Sequence, residues 1–421
     1  MGGATVLRGI DCTLAKQATP LVHSTGHTGD HHLETDDLAV IDTFSWLICV
    51  VSYMTVRVGY VGVEHHHRDP YFAVASTLDV DIVAVCEPGQ EIDVESIGAM
   101  DDRPDEITTE GQEVSALIGG ATTYASPDRL LAEADVDVVW ITYRNDETPS
   151  IVESAVENGV HVISEKPIAR TAADLAPIAE MAREAGVTVS PTTFYRKNPV
   201  VMDLRERVSE GFFGDVMTVD GRFNASQLSY RDTDHYLYDR ATSRGGALQW
   251  IGPHWVDLMP WILDDPIDRV NAQFHDADSC DVDAGAVLQF ETDGGTLGTY
   301  HTGYYLDERG KDTHLGVYGT DAQARTPVHH DSLQHEPTVP LTLTSGHTDW
   351  SGAPRRTIEY EFTYDQFPAW GDYVRDYFAA YFDGYETGDV PATVDDAVQL
   401  LRVLDAAYES AERDGWVQVT D

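Results

Sequence analysis

From Thr55 onward, short apolar runs alternate with longer stretches in which apolar residues recur every three or four positions. Thr55 to Val61, "VDIVAVCEP", "VDVVWITY", "VHVISEKP" and "VTVSPTTF" are almost continuously apolar, as strands covered on both faces should be. The intervening stretches predict helices. One follows the first run and reaches about Leu78. In "SPDRLLAEA" Ser126 supplies a cap and Pro127 the first turn, "ETPSIVESAVENG" is stopped by Gly159, and "TAADLAPIAEMAREAG" follows. The acidic stretch Glu91 to Glu110 lacks periodicity and reads as a surface insertion, before the helix-like "EGQEVSALIGG". Strand and helix in alternation predict an open parallel sheet.

After about Phe194 the rhythm changes. "DVMTVDGRF", "DRVNAQFHDAD", "GAVLQFETDGGTLGTYHTGYY" and "HLGVYGTDAQAR" read as long antiparallel strands with Gly-containing turns. A helix from Pro253 to about Leu263 interrupts them. The closing "TVDDAVQLLRVLDAAYESAERDG" is a strong amphipathic helix, with Asp395 and Asp396 in its first turn and Gly415 as its stop. The fold class is therefore α/β plus α+β. Residues 54–192 form a parallel-sheet domain, and residues 193–421 a second domain with a large open, mostly antiparallel sheet, its last helix packing back on the first. Residues 1–53 show no clear periodicity and are expected to be a poorly ordered extension, with Met54 as the native start. Their His27, His31 and His32 read as surface histidines.

Charge alters this picture in one respect. The 421 residues carry 72 acidic against 27 basic side chains, net −45, and only Lys16, Lys166, Lys197 and Lys311 are lysines. Acids spread along the whole chain suit a cytoplasm of very high salt, where the reach of repulsion shrinks to ~3 Å at 1 M. Nucleic acid is excluded as a partner, since no basic stripe replaces phosphate counter-ions. The longest apolar stretch near the start, "WLICVV", is too short to span a bilayer, so no membrane role is expected. Cys12, Cys49, Cys86 and Cys280 are isolated, with neither zinc spacing nor a disulfide framework.

The candidate chemistry gathers at the carboxyl ends of the first set of strands, where ligands of such sheets sit. The G-x-G-x-x-G spacing would start at Gly62, but Glu64 and His67 stand where its second and third glycines would be. His66 and His67 could donate hydrogen bonds to a pyrophosphate at the helix start, or could simply be polar residues there. A metal site ranks last, because adjacent histidines on a helix point in different directions, and no metal is expected. Glu87 ends the second strand, where an acid would bind a ribose diol and repel a 2′-phosphate, which favours NAD over NADP. Tyr143, Asn145, Glu165 and Pro167 lie at the same edge. Within "SEKP", Lys166 can stabilise a developing alkoxide. In "RGGALQWIGPHWVDLMPW", His254 lies in the first turn of a helix and Asp257 three residues later on the same face. That makes His254 a candidate acid–base, or a core histidine capping its own helix.

Together "GVHVISEKPIA", "GFFGDVMTVDG", "GGALQWIGPHWVDLMPWIL" and "DDAVQLLRVLDAAYESA" resemble the Gfo/Idh/MocA oxidoreductases, from about Met54 to the C-terminus. The resemblance implies a Rossmann domain followed by the open-sheet domain, and hydride transfer between NAD(P) and a sugar, sugar acid or cyclitol. It also implies Lys166 as the lysine of the E-K-P motif, His254 as the acid–base, and a homo-oligomer, dimer or tetramer. Three positions depart from the family pattern: "GVEHHH" replaces the Gly-rich loop, Trp250 stands for the aspartate four residues before the histidine, and "TYRNDET" keeps Asn145 but has Thr148 for a histidine. With Trp250 in that place, proton transfer would rely on Asp257, Asp239, Tyr195 or the substrate, while Trp250 could stack on a sugar face. Tyr195, Arg196, Asp239 and Trp250 are the expected substrate contacts. Two other readings stay open: an enzyme with retained NAD that cleaves or epimerises glycosides, and a non-catalytic dinucleotide- or sugar-binding regulator.

Overall fold

The computed structural model describes residues 55–93, 97, 117–231, 235–276, 280–307, 310–329, 338–362 and 371–420. The expectations for an unordered extension, a start at Met54 and a surface insertion fall on segments outside the described residues, wholly or in most of their length.

Six parallel strands form the first sheet: β1 Val56–Val61, β2 Val80–Cys86, β3 Thr122–Tyr124, β4 Val138–Ile141, β5 His161–Ser164 and β6 Val189–Pro191. Their order is β3-β2-β1-β4-β5-β6, so the chain reverses direction across the sheet between β1 and β4. Burial explains the unbroken apolar runs, since Val58, Tyr60, Val138, Val139, Trp140, Val162 and Ile163 are fully enclosed. The connecting helices are α1 Arg68–Ala75, α2 Pro127–Glu133, α3 Thr148–Glu157 and α4 Ala172–Ala185. Their ends follow local chemistry. Ser126 Oγ accepts from Arg129 N at 3.4 Å, Thr171 and Asp174 close a capping box, and Gly186 ends α4 at φ +68°.

The second sheet has nine strands. In chain order they are β7 Val216–Ala225, β8 Ile267–Asp276, β9 Asp283–Thr292, β10 Leu297–Gly303, β11 Lys311–Gly319, β12 Ala322–Thr326, β13 Thr338–Ser345, β14 Arg355–Glu361 and β15 Val417–Gln418. The order is β14-β13-β12-β11-β7-β10-β9-β8-β15, antiparallel except where β7 meets β10. Helices α5 Pro199–Ser209, α6 Gly252–Leu263, α7 Tyr373–Gly384 and α8 Val394–Arg413 complete this part. A Thr393–Asp396 capping box opens α8. The helix ends on Asp414 at φ +53°, one residue before the glycine expected to stop it. It packs against both β8 and α4, so it bridges the two sheets.

The elements not foreseen include β3, α5, β13, β14, α7 and β15. In β13 the core side of the alternation is Val339, Leu341 and Leu343, and Pro340 between them argues against a strand. Its partner β14 is mostly exposed and so carries no apolar pattern. Helix α7 buries Tyr377, Phe378, Tyr381 and Phe382, and the Phe378 ring lies tilted against Trp140 with ring centroids 4.3 Å apart.

One glycine is fixed by geometry at the reversal point. Gly62 has φ +93°, and a Cβ there would lie 2.0 Å from the Thr142 carbonyl oxygen at the end of β4. Gly62→Ala should therefore force the β1–α1 loop away from β4, at a cost of roughly 1–3 kcal/mol in strain. A lowered denaturation midpoint at constant salt is the expected result.

Candidate active site

At the carboxyl edge of the parallel sheet, the chain leaving β5 places Glu165 and Lys166 in the interior, joined to Pro167 through a cis peptide. Glu165 Oε1 accepts from His67 Nδ1 at 2.8 Å and from the Tyr71 hydroxyl, and Oε2 accepts from the Lys166 amide at 3.1 Å. Burial alone would raise the pKa of this carboxyl. His67, followed by Lys166, outweighs burial and holds it well below the usual carboxylate range. The Lys166 Nζ donates to the Trp250 carbonyl at 2.9 Å, and burial lowers its pKa against the opposing pull of Glu165.

Trp250 ends a short helical turn, Ala247–Trp250. Asp283 fixes the start of that turn by accepting from the amides of Gly246 (2.7 Å) and Leu248 (3.0 Å). The chain then enters α6, whose first turn carries His254. This imidazole is 8% exposed, lies edge-on to Tyr195 at 5.0 Å between ring centroids, and leaves Nδ1 without a hydrogen-bond partner among the described residues. Burial, with the Lys166 charge adding to it, holds its pKa well below the ordinary value, so the ring is neutral.

Lys166, His254, Tyr195, Trp250, Glu165 and the three histidines of the β1–α1 loop line one cavity. Of the expected site residues, these are brought together. Arg231, Lys311 and Tyr304 line it as well, and sequence reasoning missed all three. They come from outside any recognised motif. The one available signal was that Lys311 is among only four lysines.

Asp257 and Arg196 sit elsewhere. Asp257 faces Arg196, with Nε–Oδ2 at 2.9 Å and Nη2–Oδ1 at 2.5 Å, and Arg196 also binds Asp396 and the Pro391 carbonyl. The spacing correctly put Asp257 three residues along α6. Its bidentate partner, however, comes from a 3-10 turn 61 residues earlier, so it does not orient His254 and Arg196 is not on the cavity wall. Asp239 caps the turn Arg240–Ser243 through Ala241 N and Thr242 Oγ1, a structural task that keeps it off the cavity wall too.

The cofactor edge is mixed. Gly62 makes the close turn that a dinucleotide loop needs. Asn145 is buried, its Nδ2 donates to the Ser243 carbonyl at 3.4 Å, and its Oδ1 has no partner. Tyr143 is half-buried in the same loop. Glu87 turns inward, accepting the Glu64 amide at 3.0 Å, and burial raises its pKa to about 7. The three histidines do not lie on a helix. They occupy the turn before α1, and their rings face one another at 4.1–5.1 Å between centroids. The reason for ranking a metal last, side chains diverging on a helix, therefore does not apply. The turn at Gly62, the acid ending β2 and the unpartnered Asn145 Oδ1 suit a dinucleotide laid across the reversal point.

Two stability measurements test these assignments. Arg196→Met leaves a buried carboxylate unpaired and should cost about 3–5 kcal/mol by denaturant titration. The Glu87 carboxyl binds its proton more tightly folded than unfolded. Its contribution is therefore full below 4.5 and is lost as pH rises through about 7. The wild type should lose stability relative to Glu87→Gln between pH 5 and 8, and a flat difference would show that the carboxyl is not held as described.

Comparison with known proteins agrees with this geometry. Residues 56–193 match the model of the oxidoreductase family with an NAD-binding Rossmann fold, and residues 201–325 match the GFO/IDH/MocA C-terminal domain. The chain is 27% identical to D-xylose 1-dehydrogenase (NADP(+)) 2 of Haloferax volcanii over 307 residues, 73% of this chain and 87% of that protein. It is 25% identical to inositol 2-dehydrogenase of Salmonella typhimurium over 224 residues, 52% of this chain and 58% of the relative. Among solved structures, levoglucosan dehydrogenase in complex with NADH and L-sorbose shares the fold with a TM-score of 0.71, at 16% identity, covering 87% of this chain and 99% of that one. With the parallel sheet and strands β7 to β11 of the second sheet matched by models of one family, the chain belongs to the Gfo/Idh/MocA oxidoreductases and carries their NAD(P)-binding Rossmann domain.

Proposed function

We propose that the protein is a dehydrogenase that oxidises a secondary hydroxyl of a sugar, sugar acid or cyclitol. The observation that carries this reading is the convergence of Lys166 and His254 on one cavity at the carboxyl edge of the Rossmann sheet. A nicotinamide dinucleotide, when bound, supplies the hydride acceptor. Lys166, anchored by the Trp250 carbonyl, presents its remaining ammonium protons to the substrate oxygen and stabilises negative charge as it develops there. His254, neutral because it is buried beside Lys166, accepts the hydroxyl proton. Tyr195 packs against the imidazole and confines its orientation, a task the expected aspartate would have shared. Trp250 closes the wall and offers a flat apolar face to a sugar ring.

NAD is the proposed cofactor in preference to NADP, because Glu87 ends β2 where a 2′-phosphate would arrive. The Haloferax relative is named for NADP(+), so the preference is for direct titration to decide. Arg231 and Lys311 on the cavity wall favour a sugar acid among the three substrate classes. A homo-oligomer through the open face of the nine-stranded sheet, which exposes Val287 and Leu297, completes the proposal. The unpartnered Nδ1 of His254 is also what a binding-only regulator would tolerate.

Lys166→Met separates the two readings. Turnover on a polyol and sugar-acid panel should fall by roughly 10²–10³-fold with dinucleotide binding retained. Tight binding with no turnover by the wild type on any substrate would instead favour the regulator. For the active protein, the acid limb of kcat/KM should lie below 6.5, because the His254 pKa is lowered.

A further inference from the structure

We propose that His65, His66 and His67 form a site for one divalent transition-metal ion of the zinc, cobalt or nickel kind, on the wall of the cavity that holds Lys166. One ligating atom from each imidazole lies within 4.8 Å of the other two. Nitrogens bound to one ion at about 2.0–2.1 Å stand roughly 3.3 Å apart, so modest side-chain rotations close the site. The backbone makes this convergence. His65 N donates to the Gly62 carbonyl and Arg68 N to the His65 carbonyl, a tight turn that swings three successive side chains to one side.

Glu165 supplies a second, independent feature. Its carboxylate takes the Nδ1 proton of His67 at 2.8 Å, and is itself fixed by the Tyr71 hydroxyl. A histidine held this way keeps the tautomer with its lone pair on Nε2, as metal-bound histidines characteristically do. The weak bond from His67 N to His65 Nδ1, 3.1 Å, is the one contact within the loop that a ligand bond at that atom would replace.

The surroundings select the kind of ion. Among the described residues, Lys166, Arg231 and Lys311 line the same cavity against the single carboxylate of Glu165 and on balance repel a cation, and imidazole nitrogens are poor ligands for a hard ion such as Mg²⁺, which takes oxygen donors. A transition ion forms coordinate bonds with imidazole strong enough to outweigh that repulsion. Three protein ligands leave a fourth position for an oxygen from the cavity, the arrangement of an open site.

The test uses the full chain, stripped with chelator and dialysed to equilibrium against Co²⁺ in concentrated sodium sulfate, which avoids competing chloride. The wild type should hold one more Co²⁺ per chain than the His65→Gln/His66→Gln variant and show the visible absorption of low-coordinate cobalt. Other histidines, including His27, His31 and His32, are common to both proteins and cancel. Glu165→Gln should weaken binding by roughly 10- to 100-fold. His66 makes no hydrogen bond among the described residues, so His66→Gln keeps the turn intact and should still lower affinity. Equal cobalt content and affinity in the wild type and His66→Gln would overturn the proposal, as would displacement of Co²⁺ by equimolar Mg²⁺.

Discussion

The dipeptide Glu165–Lys166 holds the site together. Two opposite charges leave β5 for the interior side by side, and each must find partners there or remain at a cost of several kcal/mol. Glu165 finds His67 and Tyr71, which fixes the loop and first helix after β1. Lys166 finds the Trp250 carbonyl, which fixes the approach to α6. The loop at His67 and the helix that starts at Gly252, far apart in the chain, are thus positioned from one strand end. The proposed reaction depends on that arrangement, since neither a dinucleotide edge nor an acid–base imidazole would be useful unless it met the other.

The same network sets the protonation of its members. Burial, and after it the Lys166 charge, lowers the pKa of the His254 imidazole, while His67 keeps Glu165 ionised despite its burial. Asp283 works at one remove, since its two bonds to backbone amides fix the turn whose last carbonyl receives Lys166. Tyr408 on α8 donates to Asp283 at 3.1 Å, so the C-terminal helix reaches the centre through three hydrogen-bonded links.

The elements that were legible in the sequence owe it to local physics. "VHVIS" followed by Glu, Lys and Pro announces a buried strand ending in chemistry, and Ser126 before Pro127 announces a helix start because capping is decided within three residues. What was not legible depends on distant partners. Asp257 lies on the expected helix face, yet its role is decided by Arg196 on another element. The three histidines were read as the start of a helix, whereas they occupy the turn before it, which brings them together. Lys311, at the start of β11, reaches the cavity because β11 pairs with β7, a register that no local pattern encodes.

Charge shows why those lysines matter. At a formal −45 the chain repels itself, and wherever the salt reaches 1 M that repulsion is shortened to ~3 Å, which would leave steering to groups in contact with a ligand. The sequence otherwise meets its need for cations almost wholly with arginine, whose planar, permanently charged fork suits surface pairs. Two of its four lysines nevertheless line one cavity. An ammonium is compact, can turn its three protons among several acceptors, and yields its pKa to burial, as that of Lys166 does. A guanidinium could neither fit against the Trp250 carbonyl in the same volume nor give up its charge. At Lys166, then, the proposed role asks for an amine, and arginine would not replace it.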